Sequence, residues 1–496
     1  MKTFILVVLA FLAVYGRGIV AWLRARSRSN RDKKIFRYNG TDADVVVPKG
    51  VEIIGKSAFE NRYSVKSVVV PQSVKLIDGF AFKNCKALTS IVLSEGIEEI
   101  ADGAFLDCES LKEIVVPKSV KTIRMGAFMG CRSLKSFVFP DGVSEVGPLL
   151  FSGCEALESV VLPKNVKTIE GMAFQFCSSL LSIILPEGLE IIEASAFGNC
   201  HGLKSIDLPQ SVVKMDDAFS GCSSLTSIVI PKNVAEIGDF PFDDCPSLSS
   251  IEVAQNNSRY RSVDGVLYSK DGKRIVRRPQ GIVQESFVVP DGVETVGEGA
   301  FSGCSSLTSI VLPQGVAKIE SSAFAKCTLL STIEIPENVV EIGIGAFFKC
   351  SSLTSIAISE KVARIGEQAF EDCSSLTAIV IPKKVVTIEN MVFTNCEALQ
   401  SIELPDNLVK IGFRAFDSCA SLKSFVVPKN VTSIEQLAFA NCSALEEIVV
   451  PKSVLQIGED AFEDCPLLTI RAPKGSYAEQ YAKENKIPFE PIESTR

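Results

Sequence analysis

Histidine and tryptophan are almost missing from this chain. His201 and Trp22 are the single examples among 496 residues, which removes any chemistry that needs several imidazoles. Cysteines at metal-ligand spacing are lacking too: no two of the 16 stand closer than 22 residues, and Cys200 alone has a histidine beside it. Carboxylates, thiols and hydroxyls remain, and nothing in the pattern selects one acid–base pair among 59 acidic residues. The residues therefore predict no catalytic group, no metal site and no cofactor. Excess basic charge is absent as well. The formal net charge of -8 and a pI near 5.2 would repel a phosphate backbone, so nucleic acid is not an expected partner.

What is present is repetition. Hydrophobic residues make up 46% and charged residues 22%, enough apolar surface for a large core. Phenylalanine recurs every 23 residues from Phe59 to Phe242 and again from Phe301 to Phe462, with one interval of 22 before Phe219, giving seventeen units. Such a period implies one chain coil per unit, with like residues stacked into ladders through the interior. The usual length prior of several globular domains does not apply to such an array.

Each position of the unit has a physical role. Three residues after Phe stands Cys, in every unit except the first, where Arg62 replaces it. Leu follows at the sixth position (Leu88, Leu307), Ile at the ninth (Ile91, Ile310) and another aliphatic at the eleventh (Leu93, Leu312). The last two share the inward face of a strand, and Pro at the next position (Pro117, Pro313) withholds a donor and ends it. Val316 and Ile319, ahead of Phe324, belong to the opposite wall of the coil. The residue before Cys is Asn, Asp or Gly in twelve of sixteen units, which places a left-handed corner there. At about 4.8 Å per coil, seventeen coils would extend roughly 80 Å. In-register stacking holds neighbouring beta carbons near that spacing rather than the roughly 3.8 Å of a disulfide, so the cysteines read as buried thiols. His201 falls at a variable corner and reads as an exposed turn residue.

Alternation turns the eighth and tenth positions after Phe toward solvent. Ser136 and Val138, Ser159 and Val161, Ser182 and Ile184, Ser227 and Val229, and Ser309 and Val311 form two outward columns, a candidate contact face for a protein or another macromolecule. The competing reading is that β-branched residues simply favour strands. Asp207, Glu252, Glu334 and Glu403 interrupt the Val column and would blunt self-association.

The period breaks between Phe242 and Phe301. Residues 254–286 carry Asp264-Gly265 and Asp271-Gly272 beside short apolar runs, the chemistry of a hairpin insert, and separate repeat blocks at 45–253 and 287–473. The insert is basic, and Tyr260, Arg261, Tyr268, Arg274 and Arg277 are a candidate patch for an acidic partner; a solvated hairpin is the simpler reading of them. Residues 474–496 have the composition of a helical cap and tail. At the other end, residues 1–23 read as a signal peptide or, because the apolar stretch continues past Arg17 to Leu23, as a signal anchor. Residues 24–44 read as a linker that opens with a basic cluster. Four glycosylation sequons, at Asn39, Asn256, Asn430 and Asn441, matter only in a eukaryotic secretory pathway.

The unit Ile-x-x-x-Ala-Phe-x-x-Cys-x-x-Leu-x-x-Ile-x-Leu-Pro resembles that of the BspA-like leucine-rich-repeat surface proteins, over about residues 46–473. Residues 260–272 are similar to the hairpin insert of that family and residues 475–482 to its C-terminal cap. The resemblance implies an α/β-type repeat solenoid of stacked parallel strands. It also implies a non-enzymatic, secreted or cell-surface protein that adheres to a protein or matrix macromolecule. With an uncleaved anchor the chain would instead be a single-pass membrane or intracellular scaffold, touching the membrane only through its N-terminus.

Overall fold

A coil of 23 residues closes because its apolar positions point to one interior while its corners use backbone conformations that reverse the chain. The computed structural model describes residues 33–35 and 37–493, so the expected targeting segment lies outside the described residues. The chain divides into two compact units, Met1–Leu225 with Asn233–Phe242, and Thr226–Lys232 with Asp243–Arg496.

Within the first unit the phenylalanines stack ring on ring. Phe82 and Phe105 lie 5.2 Å apart with planes 1° from parallel, and Phe174 and Phe197 lie 5.3 Å apart. On one wall the expected strands appear as Asp44–Val46, Ser67–Val70 and Ser90–Leu93, paired parallel and in register. The opposite wall holds two-residue strands such as Ile53–Ile54, Leu76–Ile77 and Glu99–Ile100, also parallel. A third ladder runs beside the Phe stack, where the Phe80, Phe82 and Asn84 amides donate to the Asp102, Ala104 and Leu106 carbonyls at 2.7–2.9 Å. The corner expected before Cys is left-handed, as at Asn84 with φ 59°. A second left-handed corner, not expected from the sequence, stands two residues before Phe, at Ser57, Phe80, Leu149, Met172 and Ser195 in this unit. Glycine at the same position in some coils, Gly103 and Gly126 here and Gly299 and Gly345 in the second unit, is the signal the sequence holds for it.

The first unit also begins earlier than the residues 24–44 linker allowed. Lys34–Ile35 pairs parallel with Ile53–Ile54, and the Tyr38 ring stacks 4.9 Å from Phe59. Tyr38 fills the Phe position of a coil whose spacing, 21 residues, escaped the alignment. Buried beside Phe59 and donating to Asp42 at 3.1 Å, its hydroxyl is pushed up to about 12.

The second unit repeats the same three ladders, with phenylalanines from Phe301 to Phe462 stacked 5.1–5.6 Å apart. The expected C-terminal cap is the helix Tyr477–Glu484. The Ser476 hydroxyl accepts from the Glu479 amide, and the Glu479 carboxylate accepts from the Gly475 amide at 2.7 Å, so both ends of the first turn are satisfied. Its apolar face buries Ala478, Tyr481 and Ala482, with the Tyr481 ring edge-on to Phe462 at 5.9 Å, closing the stack. Beyond it Phe489–Ile492 returns as a strand parallel to Thr469–Pro473.

The 254–286 insert is only partly a hairpin. Tyr260–Val263 and Val266–Ser269 pair antiparallel as expected, and Val266–Ser269 pairs antiparallel in turn with Arg274–Arg277 beyond Asp271-Gly272. On its other edge Arg274–Arg277 rejoins the solenoid, pairing parallel with Thr295–Val296. From there the chain makes a full coil in which Arg277 and Arg278 replace the Ala and Phe of the repeat and Gly281 replaces Cys. A beta carbon at Gly281 would lie 2.6 Å from the Leu248 carbonyl oxygen, so the closeness of that approach demands glycine. Without Phe and Cys the coil was invisible to an alignment made on those residues.

Candidate functional site: the outward strand face

The strand alternation predicted for the solvent side is met. Phe137 and Val160 point inward and are buried, while Val138 is 61% exposed and Val161 57%. Ser136 pairs with Ser159 and Val138 with Val161 along adjacent parallel strands, Ser136–Val138 and Ser159–Val161. Ser182 and Ile184 lie one coil further, both exposed, Ile184 at 87%, in extended chain without ladder pairing. In the second unit Ser227 and Val229 pair with Ser250 and Glu252, and Ser309 and Val311 with Ser286 and Val288. Ser309 is half-buried, and the other three of these predicted residues are exposed. An aliphatic column left facing water loses the roughly 25 cal/mol per Å² that burial would return, so it is the part of this surface with most to gain from a partner.

The hairpin patch does not assemble. Tyr268 is buried, and burial pushes its hydroxyl up to about 12. Arg277 is wholly buried where the repeat carries Ala; it donates to the Gly299 and Ser302 carbonyls and pairs with Asp243 at 3.3 Å. Arg274 pairs with Glu320 at 2.5 Å. Tyr260 is half-buried, and Arg261 alone of the five is open to solvent. Arg274–Arg277 is both the last antiparallel strand of the insert and the first strand of a coil, so stacking on Thr295–Val296 and the next coil places its basic side chains.

The cysteines are structural in a specific way. Thiol after thiol donates to the carbonyl of the Phe one coil back, Cys85 to Phe59 at 3.1 Å, Cys108 to Phe82 at 3.2 Å and Cys350 to Phe324 at 3.2 Å. That carbonyl already accepts the amide three residues on in its own coil, from Arg62 at Phe59 and from Cys85 at Phe82, so the thiol fills its second lone pair. Burial pushes the Cys85 and Cys200 thiols up to about 12, far from the thiolate a nucleophile needs. His201 bonds the Gly221 carbonyl at 3.0 Å and the Ser223 hydroxyl at 3.3 Å, ordinary corner contacts. Among the described residues no group of three His, Cys, Asp or Glu could hold a metal ion. Among the same residues no helix is long and apolar enough to cross a membrane.

The sequence profile of the BspA type leucine rich repeat region matches at residues 30–158, 146–262, 281–384 and 363–486. The chain belongs to this family. BspA-type repeats and their solenoid are typically non-enzymatic and serve as scaffolds for protein interaction. Among solved structures, a leucine-rich repeat protein from Bacteroides ovatus is 26% identical over 91% of this chain and 92% of that one, with TM-score 0.38. A leucine rich cell surface protein from Faecalibacterium prausnitzii is 26% identical over 90% and 92%, with TM-score 0.36. A leucine-rich repeat protein from Eubacterium ventriosum is 23% identical over 83% and 88%, with TM-score 0.46. No curated protein matches the chain.

Proposed function

We propose that this BspA-type repeat protein is displayed outside the cell and binds a protein or matrix macromolecule along its strand face. The observation that carries the reading is the exposed aliphatic column beside a serine column; the second unit has such exposed positions of its own at Val288, Val311, Val380 and Val426. The flat spacing of the strands offers a partner a repeated apolar line, with hydroxyls beside it that donate and accept. The apolar run at residues 4–15 supports export, as does membership of a family of bacterial surface proteins.

Binding of the full chain to an array of matrix and cell-surface proteins tests the ligand half of the reading. Wild-type protein should give saturable binding that Val311→Lys together with Val426→Lys removes; equal binding by that variant refutes the strand face. Protease treatment of intact producing cells tests the location. Digestion of the repeats is expected, and protection until the cells are lysed would instead place the repeats inside as an intracellular scaffold.

A further inference from the structure

One stretch of the strand face in the first unit differs from the rest. Val115, Val138, Val161 and Ile184 form four consecutive exposed aliphatic steps before Asp207 ends the run. Beside this line, on the strand-entry side, stand Lys112, Lys135 and Glu158, with Leu181 at the fourth step; on the strand-exit side stand Lys118, Asp141, Lys164 and Glu187. All seven charged residues are exposed, and among the described residues none of their side chains makes an ion pair or hydrogen bond within the chain. Charges a few positions further round the coil behave differently: Lys167 pairs with Glu190 at 2.6 Å and Lys121 with Glu98 at 3.9 Å. The strand face therefore keeps its charges uncommitted where the flanking wall neutralises them.

The order of those charges carries a symmetry. We propose that two copies of this chain associate face to face through this patch, about a two-fold axis parallel to the strands and midway between Ser136–Val138 and Ser159–Val161. The proposal rests on the strand face being a protein-binding surface and assigns this part of it to a second copy, leaving the second unit for the ligand. Such an axis reverses the order of the coils and sets each outward column against itself, in the aligned packing usual for two sheets about 10 Å apart. Val138 then meets Val161 of the second copy, and Val115 meets Ile184. On the exit side Asp141 meets Lys164 and Lys118 meets Glu187; on the entry side Lys135 meets Glu158. Lys112 meets Leu181, and every encounter between two charges is between opposite signs and occurs twice. The other two-fold arrangement for facing sheets, with the axis along the solenoid, would pair Lys135 with Asp141 and Glu158 with Lys164 but set Lys112 against Lys118, a like-charge contact that also occurs twice. In the second unit Glu334 and Glu403 interrupt the aliphatic column, and no comparable uninterrupted run is formed.

The patch spans four coils of about 4.8 Å and seven residues of about 3.3 Å, so each copy contributes on the order of 400 Å². That is small for a permanent dimer, and association at about micromolar concentration is the expectation. Sedimentation equilibrium of the full chain, with circular dichroism to confirm that each exposed substitution leaves the fold intact, tests it. Wild type should pass from monomer to dimer across that range. Ile184→Lys should weaken the dimer about tenfold or more, and Lys164→Glu by about tenfold, because it sets two carboxylates against each other twice. Adding Asp141→Lys to Lys164→Glu exchanges the partners and should restore wild-type association. A wild-type chain that stays monomeric to about a hundred times the micromolar range overturns the proposal. So does a double variant no tighter than Lys164→Glu alone, as the alternative axis requires. Capture of the array ligand by Ile184→Lys, together with its loss in Val311→Lys and Val426→Lys, keeps the two readings separable: either can fail while the other stands.

Discussion

Replacing Arg278 with phenylalanine should make the second unit more stable. Arg278 occupies the ladder position that carries phenylalanine in the neighbouring coils, and it is wholly buried. Its Nη2 donates to the Ile282 carbonyl at 3.2 Å and its guanidinium lies 5.5 Å from the Phe287 ring centre. Its Nε and Nη1 are buried without a hydrogen-bond partner. Each such orphaned donor costs about 1–3 kcal/mol, more for a charged group. Against that, the substitution forfeits one hydrogen bond of about 1 kcal/mol and a cation–π contact of about 1 kcal/mol. The new ring would restore the stack on Phe301 and bury a phenyl worth about 2 kcal/mol. The net expectation is a gain of about 3 kcal/mol. Because repeat arrays unfold piecewise, the measurement is native-state hydrogen exchange at the Arg278 and Phe301 amides, which donate to Ala300 and Ala323. Both should slow by about a hundredfold if exchange follows local stability. Faster exchange than wild type would mean that the guanidinium is satisfied where it stands and would refute the reasoning.

Four further outcomes are expected. Phe151→Ala removes a ring stacked 5.7 Å from Phe128 and 5.5 Å from Phe174, with Phe137 edge-on at 4.8 Å, and should cost about 4 kcal/mol in urea unfolding; a loss under about 1 kcal/mol would show that the stack relaxes around the gap. A thiol reagent applied to the native chain should label Cys465, the one half-exposed cysteine, and reach the other fifteen only in denaturant; native labelling of Cys131 or Cys350 contradicts the ladder. Leu437→Gly should stabilise by about 0.5–1 kcal/mol, since leucine is held at φ 57°; a destabilisation would mean its side-chain contacts outweigh the strain. Burial raises the Glu320 carboxyl, but ion pairs with Arg274 and Lys318 outweigh this and hold it below its ordinary 4.5. A depressed carboxylate contributes stability that is present above that ordinary value and is lost as pH falls through the folded one. Glu320→Gln should therefore be less stable than wild type at neutral pH and converge with it in acid; a constant difference across the titration would refute the linkage.

Periodicity made much of the fold legible. Phe, Cys, Leu and Ile recur at fixed offsets, and a ladder of like residues has one economical solution, a coil per repeat with those positions inside. The C-terminal cap was readable from the helix-forming composition of residues 476–486 behind Pro473 and Gly475. Two coils were not readable, because Tyr38 and Arg278 substitute for the residue on which the alignment was made, and a period shows itself only through the residues that keep it. The second left-handed corner was hidden for a related reason: at Phe80, Met172 and Leu437 the neighbouring coils' hydrogen bonds impose a conformation that the residue type opposes.

The candidate site divides along the same line. The sequence by itself determined the outward columns, since strand alternation leaves Ser136, Val138 and Ile184 no other direction once Phe137 and Ile183 point inward. It also determined that the cysteines face the interior. Tertiary structure alone decided what the basic residues of the insert do. A lysine or arginine is ordinarily solvated, yet stacking of the coils drew Arg277 to Asp243 and Arg278 against Phe287. It decided as well which surface charges are already paired and which stand free beside Val138 and Val161, because pairing depends on the residues one coil away rather than on those next in the chain.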